Sequence, residues 1–182
     1  MAKVTTGGGD TGYTSLLGET RVPKYDERPD TFGVVDEATS ALGLARALTQ
    51  DEHAREVILK TQRDLYVLMA ELATPPEHLD AVGFRITPEH TRWLEETEEA
   101  LKAEVDIPNK FIIPGDSPDG AALDLARTII RRAERLVARL VHEKTVDNGE
   151  TLRYLNRLSD LIFILARYIE AKQGGSTQAT RS

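Results

Sequence analysis

The spacing of apolar residues between positions 123 and 169 constrains this chain more than any other feature. Leu123, Ala126, Ile130, Ala133, Val137 and Leu140 recur at steps of three and four, and after Asn148-Gly149 the same spacing returns in Leu152, Leu155, Leu158, Ile162, Leu165 and Ile169. Each set lies along one face of an α-helix, and two such helices joined by a short connection must bury their stripes against each other and against further helices. The spacing predicts one long helix from a cap at Ser117 to about Val146 and a last helix after Gly149. Three earlier segments follow the same rule. Phe32, Val35, Thr39, Leu42, Ala45 and Leu48 place a helix from about Thr31; Val57, Ile58, Leu65, Leu68, Met69 and Leu72 place another from about Asp51 to Leu72, where Thr74-Pro75-Pro76 ends it. Pro88 suits the first turn of a helix running past Trp93 and Leu94 to about Val105. Strand-like alternation is hard to find. The expectation is an all-α fold, a five-helix antiparallel bundle over residues 31–173, with a glycine-rich segment (1–30) before it and a small, polar tail (174–182) expected to be disordered.

At 182 residues the chain is long enough to bury one core without staples. A net charge of −7 argues against a general nucleic-acid binder, so any anion site must be a local concentration of Arg. The absence of cysteine excludes disulfides, thiolate metal sites and cysteine catalysis, and it fits a reducing cytosol. No apolar run approaches the length of a membrane span, and the first residues lack the apolar core of a signal peptide. These features together predict a cytoplasmic protein without membrane partners.

Nothing in Thr6-Gly7-Gly8-Gly9-Asp10-Thr11-Gly12-Tyr13-Thr14-Ser15 can pack a core. Glycines let backbone amides approach a ligand closely, and Thr14, Ser15 and Lys24 add donors, so the segment has the makings of a flexible cradle for a phosphate chain. A second constellation stands in the fourth long helix, where Arg127, Arg131, Arg132, Arg135 and Arg139 are countered locally by Asp124 and Glu134. Positions 127, 131 and 134 lie on one stripe beside the apolar seam, and 131 and 135 are one turn apart. Arg supplies planar, bidentate donors of the kind a triphosphate requires when magnesium does not neutralise it completely. An exposed face laced with ion pairs, or a subunit contact, gives the same pattern. In the last helix Asn156 falls close to the seam, where its amide needs a partner, structural or ligand. Asp36 and Glu37 stand in the first turns of the first helix, where carboxylates favour the helix dipole without any further role.

Other chemistries find less support. Gly7, Gly9 and Gly12 match the dinucleotide fingerprint spacing, yet no strand precedes them and no crossover unit follows. The segment lacks the Gly-Lys-Ser/Thr ending of a Walker A loop. His53, His78, His90 and His142 are scattered, none standing three residues after a Glu, so a carboxylate-bridged di-iron bundle is not supported and no metal site is expected. Glu95, Glu96, Glu98 and Glu99 form a solvated helix face, and no nucleophilic Ser with a paired His stands out.

The glycine segment, Arg21-Val22-Pro23-Lys24, Val35-Asp36-Glu37, Phe111-Ile112-Ile113-Pro114-Gly115, Ala126-Arg127, Arg131-Arg132-Ala133-Glu134-Arg135 and Leu155-Asn156-Arg157-Leu158-Ser159-Asp160 occur in one order across nearly the whole chain. Together they resemble the PduO-type ATP:cob(I)alamin adenosyltransferases. The resemblance implies a five-helix bundle assembling as a homotrimer with active sites between subunits. It also implies a reaction in which the 5′-deoxyadenosyl group of ATP passes to the cobalt of cob(I)alamin and triphosphate is released, with Mg2+ accompanying ATP. The product would go on to an adenosylcobalamin-dependent enzyme.

Residue by residue, the resemblance places Thr6, Gly7, Gly8, Gly9, Asp10, Thr14, Ser15 and Lys24 around the ATP phosphates, with Arg131, Glu134, Arg135 and Asn156 completing the nucleotide site. Arg131, Asp36 and Arg127 are the residues it marks for catalysis, Arg127 lying at the subunit boundary opposite Asp36. Phe111 resembles the aromatic beside the corrin that keeps the lower axial base off cobalt, although a core plug would also explain an aromatic there. Where the family often carries Arg or Lys and then Thr, this chain has Gly7 and Gly8, which removes a side-chain donor. Two other classes fit a helical bundle with a glycine-rich segment: a scaffold that binds ATP without turning it over, and a purely structural module.

Overall fold

The structure, a computed structural model, describes Thr5 and residues 7–18, 20–107 and 109–174; Thr6 and the tail beyond Gly174 lie outside the described residues. In chain order the elements are β1 (Tyr13–Ser15), β2 (Arg21–Pro23), α1 (Glu27–Leu48), α2 (Glu52–Leu72), a 3-10 turn (Pro76–His78), α3 (Leu79–Val82), α4 (Pro88–Lys102), α5 (Pro118–His142) and α6 (Gly149–Lys172). The five long helices form the predicted bundle: α1 packs on α2 and α5, α5 on α6, and α6 on α4. The stripes that predicted the helices meet in its core, where Leu42, Leu65, Leu123, Ile130, Leu158 and Ile162 are fully buried. Each such side chain contributes roughly 1.5–3 kcal/mol relative to exposure.

The boundaries differ from periodicity where capping, rather than burial, sets them. Helix α1 begins at Glu27, one turn earlier than expected, because the Asp26 side chain accepts from the Arg28 N–H and Pro29 falls in the first turn, where no backbone N–H is needed. Helix α5 stops at His142 although Val146 belongs to its apolar pattern. Lys144 adopts φ 60°, and the N–H groups of Thr145 and Val146 both donate to Leu140 O, folding Val146 back onto the core. Helix α4 ends at Lys102. Two features lack a periodic signal altogether: the 3-10 turn running into α3, closed by Gly83 at φ 70°, and the antiparallel hairpin of β1 and β2, which pairs Thr14 with Val22.

The hairpin is fastened to one end of the bundle. Leu17 N donates to Ala73 O at 2.8 Å, and the buried Arg28 donates to Leu72 O (2.7 Å), Thr74 O (3.2 Å) and Thr145 O, tying the start of α1 to the ends of α2 and α5. A cation is favoured there because helix C-terminal carbonyls carry partial negative charge. Along the α1–α5 contact, Glu37 pairs with Arg132 and Glu27 with Arg139, so the two helices run antiparallel.

Candidate active site

The glycine segment is an ordered double turn. Gly7 and Gly12 take φ 72° and 79°, Asp10 N donates to Gly7 O (3.2 Å) and Gly12 N to Gly9 O (3.1 Å). The turns are held to β2, since Lys24 N donates to Gly12 O at 2.9 Å and Arg21 Nη2 to Gly8 O at 2.9 Å. Lys24 folds back over the segment: a Cβ on Gly9 would stand 2.9 Å from its Nζ, so a side chain there would push the ammonium aside. Thr14 and Ser15 are neighbours on β1, which turns their hydroxyls to opposite faces.

The five arginines of α5 divide between the two readings their sequence allowed. Arg132 and Arg139 are spent on Glu37, Glu27 and Glu143, ion pairs with α1 and with the residue that ends α5. Arg127 and Arg131, one turn apart, face instead a cavity of about 480 Å3 whose other walls include Phe111 and Ile112 from the loop before α5 and Asp160 and Phe163 from α6. Phe111 is 86% exposed, so it plugs no core. Arg135 folds onto its own helix, donating to Arg131 O at 2.9 Å.

Glu134 and Asn156 meet across the α5–α6 contact, Asn156 Nδ2 donating to Glu134 Oε1 at 2.8 Å. The amide is fixed from its other side by Arg157, which donates to Asn156 Oδ1 (3.0 Å) and to Glu95 Oε1 (3.0 Å). The partner that Asn156 required is therefore a residue of the same constellation. Asp36 lies elsewhere, in a depression of about 360 Å3 between α1 and α2 shared with Arg46, Arg63 and the exposed Tyr66. Within one chain the carboxylate nearest the Arg127 Nε is Asp124, at 3.7 Å.

Among the residues that line the cavity without an assigned role in the sequence are Phe163, Asp160 and Glu98. Phe163 follows Ile162 in a run that is apolar on successive residues, so periodicity alone could not separate it from the core. Asp160 stood within a segment already singled out, and Glu98, expected on a solvated face, lines the cavity. Burial and the neighbouring Glu98 carboxylate raise the Asp160 carboxyl above the usual aspartate range, against the opposing pull of Arg157 and Arg131.

A cavity with aromatic and apolar walls and the guanidiniums of Arg127 and Arg131 at its edge suits a large planar ligand beside an anionic one. Comparison with known proteins agrees with that chemistry. The cobalamin adenosyltransferase family model matches residues 4–169. Corrinoid adenosyltransferases from Citrobacter freundii and Bacillus subtilis are each 37% identical to this chain, over 93% of it and 96% of the former protein and over 99% of it and 93% of the latter. One from Mycobacterium leprae is 38% identical over 92% of this chain and 91% of its own. A variant PduO-type ATP:corrinoid adenosyltransferase from Lactobacillus reuteri, solved with cobalamin and ATP, superposes with a TM-score of 0.90 at 33% identity, covering 99% of this chain and 100% of that one. Another variant from the same organism, solved with ATP, gives 0.87 at 33% identity over 98% and 100%. With the family model matched over residues 4–169 and the fold matched over 99% of the chain, this chain belongs to the cobalamin adenosyltransferase family.

Proposed function

We propose that this protein transfers the 5′-deoxyadenosyl group of ATP to the cobalt of cob(I)alamin, with ATP held between the glycine turns of one subunit and α5–α6 of its neighbour. Cob(I)alamin is a strong nucleophile: its cobalt electron pair forms the bond to C5′ as the C5′–O bond breaks, and the triphosphate leaves with that bonding pair. Such a reaction needs no protein nucleophile and no general base. What the protein must supply is alignment of C5′ with cobalt and stabilisation of charge on the departing triphosphate.

The observation that carries this reading is the cavity in which Arg127 and Arg131 face Phe111 and Phe163, a cationic wall set against an aromatic one. In it Arg131, with Arg135, Glu134 and Asn156 beside it, would take the triphosphate and ribose side, and Phe111 would lie against the corrin and keep the lower axial base off cobalt. The amides of Gly7, Gly8 and Gly9, the Lys24 ammonium and the hydroxyls of Thr14 and Ser15 would enclose the phosphates from the other side, and backbone donors would stand in for the side chain missing at Gly7 and Gly8. Thr6, outside the described residues, belongs to the same proposal. Magnesium is usually carried by substrate phosphates and one or two carboxylates, and Asp10 in the glycine turn is the carboxylate at hand.

Two observations support assembly as a homotrimer with shared sites. Asp36 and Arg127 stand in separate depressions of one chain. Large apolar side chains are also exposed at or next in sequence to residues lining each depression: Leu44 and Tyr66 on α1 and α2, and Phe111 and Ile113 before α5. No helix among the described residues is long and apolar enough to cross a membrane. The proposed substrates, ATP and a strongly reducing corrinoid, suit the cytoplasm, from which the product would pass to an adenosylcobalamin-dependent enzyme.

The direct test is incubation of the protein with ATP, Mg2+ and chemically reduced cobalamin, following the cob(I)alamin spectrum together with triphosphate release. Loss of the spectrum with stoichiometric triphosphate is expected. A protein that binds ATP and changes neither signal is a scaffold instead.

A further inference from the structure

Behind the cavity wall lies a buried run of charges. Arg167 of α6 is 2% exposed, and its Nη2 donates to Asp124 Oδ2 at 2.6 Å and to Glu170 Oε1 at 3.0 Å. Asp124, itself 3% exposed, turns its other oxygen, Oδ1, toward Arg127 Nε at 3.7 Å. The ring of Phe163 lies close to both guanidiniums, its centroid 5.3 Å from Arg167 Cζ and 5.9 Å from Arg127 Cζ. The Arg127 Nε is buried and has no hydrogen-bond partner among the described residues, although its guanidinium lines the cavity. An unpaired N–H is costly to bury, and the adjacent carboxylate charge offsets part of that cost.

Stability alone is a poor reason for such an arrangement, because a buried ion pair is often replaceable by apolar residues without loss. Its geometry is better explained by what it does to Arg127. Asp124 cannot swing toward Arg127, since Arg167 holds its second oxygen, and Arg167 cannot move, since Glu170 holds it from the next turn. The Phe163 ring packs near both guanidiniums. We infer that Asp124, backed by Arg167 and Glu170, is a positioning residue that fixes the guanidinium of Arg127 at the cavity wall for adenosyl transfer. The inference rests on the proposed function and adds to it a set of residues that touch neither substrate. A misplacement on the order of 1 Å at a reacting site costs about 100-fold in rate.

The test is a double-mutant cycle on the rate of cob(I)alamin adenosylation in the intact protein, with folding followed by circular dichroism. The variants are Asp124→Asn, Arg127→Ala and the pair together. Asp124→Asn is expected to lower kcat about 100-fold in the wild-type background and by less than about twofold once Arg127 is alanine, since the carboxylate then has nothing to position. Equal losses in both backgrounds, or a wild-type rate in Asp124→Asn, would overturn the inference. Should Asp124→Asn fail to fold, the same cycle run with Arg167→Lys, which keeps the buried charge, must show the same dependence on Arg127, and an additive loss there rejects it. A wild-type protein that turns over no cob(I)alamin refutes the function itself, whereas an active wild type with an additive cycle refutes only the positioning role.

Discussion

Asn156 on α6 donates to Glu134 on α5 across 2.8 Å, and the same amide accepts from Arg157 at 3.0 Å. Both hydrogen-bonding ends of the side chain are thus fixed before any nucleotide arrives, which makes the pair a preformed edge of the proposed ATP site. Asn156→Ala is expected to raise KM for ATP about 10-fold, the loss of one hydrogen bond to a charged group. Steady-state kinetics at saturating cob(I)alamin would measure it, and an unchanged KM for ATP would remove Asn156 and Glu134 from the nucleotide site.

Arg131 is exposed, faces the cavity and has its main chain, not its guanidinium, engaged by Arg135. Arg131→Ala should therefore change stability by no more than about 0.5 kcal/mol, as surface substitutions usually do. It should lower turnover by about 100-fold or more if the guanidinium stabilises the leaving triphosphate. Thermal melts and the adenosylation assay on the same preparation decide this, and a wild-type rate defeats the phosphate assignment.

Phe111→Ala separates the two routes into the reaction. Because the ring is 86% exposed, its removal creates no core cavity and the fold should be unaffected. With pre-reduced cob(I)alamin the variant is expected to keep most of its rate. Starting from Co(II) with an added reductant it should be slowed severalfold or more, because the lower axial base is no longer held away from cobalt. Equal slowing on both routes would place Phe111 in general corrinoid binding instead.

Asp160 makes a prediction about stability against pH. Its carboxyl is raised by burial and by Glu98, with Arg157 and Arg131 lowering it and Glu134 adding to the rise. A native pKa above the unfolded one means that the folded state holds the proton more tightly. Wild-type stability from this group therefore falls as pH rises from the ordinary aspartate value, about 3.9, through the raised native value. Asp160→Asn should melt higher than wild type at neutral pH, and the gain should vanish below the ordinary aspartate range. Melting curves at several pH values test the sign, and a variant less stable at neutral pH would show that Asp160 serves the fold.

The stripe spacing of Leu123 to Leu140 and of Leu152 to Ile169 was enough to place two helices, and the ordered motifs were enough to indicate the family. Both signals are local or linear: a 3.6-residue period fixes which face is buried, and residue types in a set order mark the family. Helix α1's extra turn was hidden because capping by Asp26 leaves no apolar trace, and the hairpin because three-residue strands are too short to alternate visibly. Only packing decided the fate of the arginines. All five carry the same charge on one helix, yet the antiparallel docking of α1 brings Glu27 and Glu37 against Arg139 and Arg132 and leaves Arg127 and Arg131 to the cavity. Phe163 and Arg167 became legible in the same way. A buried guanidinium behind an aromatic ring is a relation between residues on two helices, and no spacing within either helix encodes where the other will lie. The sequence by itself determined that this chain forms long helices after a glycine-rich segment, because those depend on short-range geometry. The tertiary structure decided which charges are spent on the fold and which face the cavity, because electrostatic pairing depends on the distances that packing creates.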